Sequence, residues 1–121
     1  MNKNGKYDKK FIKKNMSSIA STAEGLIGKE TGKWDCSGFV VHCYSVNGKS
    51  NVPHSSAQIW ANGAAGDGSA GDIVCWDGHV GICDGNGNVI HSYNSNHNIR
   101  KDSIANVSKW DKREVKGYRR F

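Results

Sequence analysis

An α+β domain is the fold class this sequence predicts, and three observations carry it. Apolar residues recur with helical spacing in the first half of the chain and with strand alternation in the second. Asp77-Gly78 lies between two apolar runs, the strongest short signal for a two-residue hairpin. At 121 residues the chain is long enough for one domain with a modest core. Helices first and an antiparallel meander after them give N-terminal helices packed on an antiparallel sheet.

Residues 1–15 are polar and lysine-rich and are expected to form a flexible basic segment, leaving 16–121 as one domain. In the stretch from about Ser17 to Ile27, Ile19, Ala23, Leu26 and Ile27 fall at i, i+4, i+7 and i+8, a helical stripe that Gly28 can stop. A second helix is expected from Cys36 to Val46, capped by Asp35 and ended by Asn47-Gly48. A short third helix follows Pro53, from Ser55 or Ser56 to Ala61, and the next residues to Ser69 read as a loop. Strands are expected over 71–76, 79–83 and 89–93, with further strands around 98–101 and 114–120. The Asp-Gly turn puts Trp76 opposite His79 and Cys75 opposite Val80, so that Cys83 falls opposite Asp72. Cys75 and Cys83 are then too far out of register for a bridge.

The four cysteines, at 36, 43, 75 and 83, form no C-x-x-C pair, so no structural zinc site is expected and the thiols read as free. The formal net charge of +6 is concentrated at the two ends, which favours anionic polymers, although solvated ends read the same way. No groove-reading nucleic-acid motif is present, so no nucleic-acid partner is expected. No segment approaches the roughly 20 apolar residues of a membrane span. No signal peptide is visible, because no apolar core of about 7–15 residues follows the basic N-terminus.

The chemistry centres on Cys36. As the first residue of a capped helix it meets orphan N–H groups and the positive end of the helix dipole, which favour thiolate over thiol. Gly38, lacking a Cβ, lets another element approach that first turn. A cysteine nucleophile needs a base, and the base needs orienting. His79 opens a strand after the tight turn, and His91 sits on the neighbouring strand, roughly opposite if 84–87 is the turn between them. Side by side, the two imidazoles can share a proton, so that one fixes the tautomer of the other. A lone strand histidine is more often a satisfied polar residue, and His42, His54 and His97 are read that way.

Five segments together, Asp35-Cys36-Ser37-Gly38-Phe39-Val40, Pro53-His54-Ser55-Ser56-Ala57-Gln58, Gly71-Asp72-Ile73-Val74, His79-Val80-Gly81-Ile82 and Val89-Ile90-His91-Ser92, resemble the NlpC/P60 family in order and spacing. These are papain-like cysteine peptidases of bacterial cell walls, and the resemblance covers residues 17–120. It implies a papain-like fold with Cys36 as nucleophile, His79 as general base and His91 as the orienting polar residue. It further implies that Asp35 and Ser37 line the substrate cleft, where Asp35 could meet a substrate amine, and that no cofactor is needed. The short Asp77-Gly78 connection departs from many members and trims the cleft wall near His79.

The function expected is thiol hydrolysis of peptidoglycan stem peptides, with cleavage between γ-D-Glu and the diamino acid implied by the resemblance. One alternative uses the same Cys-His site as an N-acetylmuramoyl-L-alanine amidase, acyltransferase or deamidase. Another is a non-catalytic module that binds an anionic cell-wall polymer through the basic ends. A monomer is expected, secreted or otherwise delivered to the wall.

Overall fold

The computed structural model describes residues 9–121, so the first eight residues of the expected flexible segment lie outside the described residues. Helix α1 spans Lys9–Gly25 and starts eight residues before the expected start near Ser17. Lysine is a good helix former, so a lysine-rich stretch need not interrupt a helix. Helix α2 spans Cys36–Val46 and α3 Ser56–Asn62, both as expected within a residue, capped by Asp35 and Ser55. After α2 the chain turns through Gly48 at φ +81°, and the Lys49 N–H returns to the Tyr44 carbonyl at 3.0 Å.

The strands are β1 (Ala64–Ala65), β2 (Ile73–Trp76), β3 (His79–Cys83), β4 (Asn88–Tyr93), β5 (Asn98–Ser103) and β6 (Gly117–Arg120). They form one antiparallel sheet in the order β1-β6-β2-β3-β4-β5. The Asp-Gly turn sets the expected register, with Trp76 opposite His79 and Cys75 opposite Val80. The Cys83 N–H bonds the Asp72 carbonyl at 2.7 Å, and all four cysteines are free. Two features depart from a simple meander. The last strand, β6, returns to pair with β2 and with the two-residue β1, which lies inside the expected loop. Helix α4 (Ile104–Asp111) follows β5 directly, where no helix was expected. Its only fully buried residue is Val107, and its start depends on the Ser103 hydroxyl accepting the Asn106 N–H. Eight residues with one buried position give too weak a periodic signal to read from the chain alone.

The two faces of the sheet carry separate apolar clusters. On one, Ile73, Val80, Ile82 and Ile90 pack against Ile19 and Ala23 of α1 and Phe39, Val40 and Cys43 of α2. On the other, Val74, Trp76, Cys83 and Val89 pack against Val107 of α4. Each large core side chain stabilises by about 1.5–3 kcal/mol. An exposed pair such as Glu30–Lys33, 3.1 Å apart, adds at most about 1 kcal/mol. Core packing is therefore what holds the start of α2 beside the start of β3. Among the described residues no helix is long and apolar enough to cross a membrane.

Candidate active site

Asp35 caps α2 with an extended backbone, φ −76° and ψ −178°, and its Oδ1 accepts the Gly38 N–H at 2.7 Å. Cys36 becomes the first helical residue and is half-buried. A Cβ on Gly38 would lie 2.8 Å from Asp35 Oδ1 and 3.2 Å from His54 Nε2. That gap admits His54, whose Nε2 comes 2.8 Å from Asp35 Oδ1. His54 had read as an ordinary polar residue; the glycine at 38, needing a close neighbour, was the signal that pointed to it. Ser37, expected to line the cleft, is buried beside Asp35. Its hydroxyl donates to Asp35 Oδ1 at 3.4 Å, because the second residue of a capped helix turns back toward its cap.

His79 and His91 meet, but not as directly opposed residues. Ile82 pairs with Ile90, so continuing the ladder sets His91 across from Gly81 and His79 one step further along the same face. Gly81 has no side chain to fill the space between them: a Cβ there would lie 2.8 Å from the His91 Cβ. The imidazoles therefore join diagonally, His79 Nε2 to His91 Nδ1 at 2.8 Å. On β5 a second diagonal follows. Arg100 is opposite His91, and Asp102, two residues on, places Oδ2 2.9 Å from His91 Nε2. Arg100 grips the same carboxylate with Nε at 2.7 Å and Nη2 at 2.9 Å.

Cys36 and His79 open onto one cleft of about 350 Å³, whose walls include Asp35, Tyr93, His97, Asp111 and Arg113. A larger cavity of about 540 Å³, beside Asp67, Asp72 and Arg120, has no cysteine or histidine among its lining residues, and its buried Asp72 is taken up by the Arg120 guanidinium at 2.8 Å. The model of the NlpC/P60 family matches residues 25–119. The chain belongs to the NlpC/P60 family.

Two curated relatives of this NlpC/P60 chain are probable endopeptidases from two strains of Corynebacterium glutamicum, each 42% identical over 100 residues. The alignment covers 72% of this chain and 47% of each relative, so the chain spans about half the length of the curated relatives it matches. NlpC2 from Trichomonas vaginalis has the same fold, with a TM-score of 0.72 at 20% identity over 88% of this chain and 46% of that one.

Within this NlpC/P60 domain the electrostatics determine which nitrogen carries which proton. Burial raises the Asp102 pKa, but bonds from Arg100 and His91 outweigh it and hold the carboxyl below its usual range. An anionic carboxylate only accepts, so His91 Nε2 carries the proton and Nδ1 accepts from His79 Nε2–H. His79 Nδ1 is then the ring nitrogen left unprotonated. Burial, then the neighbouring His91 and Arg113, lowers the His79 pKa to about 4, so it is neutral at pH 7. Burial and the Asp35 charge push the Cys36 thiol up, more than the backbone N–H groups of Val80, Ser37 and Cys36 pull it down. Where the helix start was expected to favour thiolate, desolvation outweighs that pull and holds the Cys36 thiol above its usual pKa, beside a neutral imidazole.

Asp102, Tyr93, Asp111 and Arg113 were not legible as site residues. Asp102 lies one residue beyond the expected strand 98–101, and Asp111 ends the unexpected α4. The Tyr93 ring stacks on His91 at 4.8 Å, and its hydroxyl donates to Asp111 Oδ1 at 2.5 Å. His97, at φ +51°, reaches the cleft from the β4–β5 turn, whereas His42 stacks on Trp34 at 4.4 Å. Among the described residues, no three His, Cys, Asp or Glu side chains are grouped to hold a metal ion.

Proposed function

We propose that this NlpC/P60 domain is a thiol endopeptidase that cuts peptidoglycan stem peptides between γ-D-Glu and the diamino acid. The observation that carries this reading is the buried Asp102–His91–His79 relay, which leaves His79 one unprotonated nitrogen, on a residue that lines the same cleft as Cys36. His79 Nδ1 takes the Cys36 proton as Sγ attacks the carbonyl carbon, so thiolate forms only with the new bond. Backbone N–H groups at the start of α2, that of Cys36 among them, hold the oxyanion. His79 then protonates the leaving amine, and a water assisted by His79 resolves the thioester to acid and free thiol.

Asp35 selects the substrate's free end. Gly38, Ser37 and His54 all converge on its Oδ1, which leaves Oδ2 of a half-exposed carboxylate for an amine. A stem peptide released from its sugar presents the L-alanine amine one residue before the γ-D-Glu carbonyl, within reach of Asp35 when that carbonyl is at Cys36. The endopeptidase names of the Corynebacterium relatives agree with this reading.

Digestion of purified muropeptides followed by mass analysis tests it. Products ending in γ-D-Glu are expected, formed faster from peptides with a free L-Ala amine, with that preference reduced by Asp35→Asn and all cleavage lost in Cys36→Ala. Fragments split between muramic acid and L-alanine would instead show an amidase.

A further inference from the structure

Among the described residues that line the cleft, Arg113 alone is a permanent cation. Its Nη2 donates to Asp111 Oδ2 at 2.9 Å, and its Nη1 donates to the Asp77 carbonyl. Asp111 is mostly buried, and its other oxygen is held by the Tyr93 hydroxyl, so the carboxylate steadies the guanidinium. These bonds use only part of a five-donor fork, and the Arg113 side chain is 34% exposed. The fork also sits next to the chemistry. A Cβ on Gly78, the residue before His79, would lie 3.4 Å from Arg113 Nη1.

If the cleavage reading above holds, on which this inference rests, the attacked residue is a D-glutamyl group joined through its γ-carboxyl. Its α-carboxyl is then outside the main chain, a few bonds from the attacked carbonyl, and is an anion unless amidated. Asp35 has the wrong sign to receive it. We propose that Arg113 binds this α-carboxylate, so that the domain distinguishes D-glutamate stem peptides from those amidated to D-isoglutamine. The guanidinium can present paired N–H donors to a carboxylate, whereas the amide offers one acceptor and no charge.

A strut between the α4–β6 link and the β2–β3 turn is the competing role for Arg113, and it would not depend on the substrate. The test compares kcat/KM for L-Ala-γ-D-Glu-meso-diaminopimelate and for its α-amide. Wild type should favour the acid by about tenfold, the size of one charge-assisted hydrogen bond. Arg113→Gln should collapse that ratio toward one, and Arg113→Lys should keep part of it. Equal rates on both peptides by wild type, or a ratio that survives Arg113→Gln, would overturn the assignment of Arg113 alone. Cleavage of neither peptide by folded wild type would overturn the endopeptidase reading itself.

Discussion

Gly81 stands across the β3–β4 ladder from His91, and the empty space where its side chain would be is what lets His91 reach His79. A Cβ on Gly81 would also lie 3.1 Å from the Ile90 carbonyl, so the strands would have to separate to hold it. Gly81→Ala should therefore weaken the His79–His91 contact and cost about 1–3 kcal/mol of stability, the usual range for overpacking. Thermal melting and kinetics below the melting temperature check this. A folded Gly81→Ala protein with unchanged kcat would show that the diagonal contact is dispensable.

Asp102→Asn should lower kcat while KM stays near the wild-type value. An amide can turn its NH₂ toward His91 Nε2, which moves the His91 proton to Nδ1 and removes the acceptor for His79. The loss should remain within the 10²–10⁴-fold that general acid–base catalysis typically contributes, about the same as for His91→Ala. The loss from His79→Ala should be larger, since the base itself is gone. Steady-state kinetics of the three variants rank them, and an Asp102→Asn enzyme with wild-type kcat would remove the carboxylate from the relay.

Activity and stability should diverge between pH 6.5 and 4. His79 must be neutral to accept a proton, and its pKa is lowered to about 4, so the acid limb of kcat/KM should fall near pH 4. Unfolding returns the histidine to about 6.5, so the unfolded chain binds more protons in this window and stability must fall as pH falls. The shift corresponds to about 3 kcal/mol, present above pH 6.5 and lost progressively down to pH 4. Melting temperatures across this range, with His79→Gln as control, should show a drop in wild type that the variant lessens. An acid limb at pH 6.5 would contradict a desolvated base.

Iodoacetamide at neutral pH should label Cys36 before the other three thiols. Burial alone pushes Cys43 up to about 12, and burial pushes Cys75 up to about 11. Burial, followed by the charges of Asp72 and Asp84, raises Cys83 as well. Cys36 is also raised, but it is the one thiol of the four that is half-exposed. Peptide mapping after brief labelling decides it, and first labelling at Cys43, Cys75 or Cys83 would contradict the burial pattern.

By itself, the chain determined what short-range chemistry can encode. Asp35 caps α2 because a carboxylate two or three residues from orphan N–H groups needs no distant partner. Asp77-Gly78 sets the β2–β3 register because a two-residue turn permits one pairing, and alternation then assigns each side chain to a face. The places of Cys36, His79 and His91 on their elements were legible for those reasons. Tertiary structure decided what depends on long-range closure. β6 pairs with β2 across more than forty residues of sequence, a choice that local propensity does not encode. Asp102 joins His91 only through the diagonal geometry of β4 and β5, and Asp111 and Arg113 reach the cleft only because α4 packs Val107 onto the far face of the sheet. The protonation of the pair was decided there too. A helix start favours thiolate wherever it occurs, but only folding buries Cys36 by more than the helix start can offset and desolvates His79 beside His91 and Arg113.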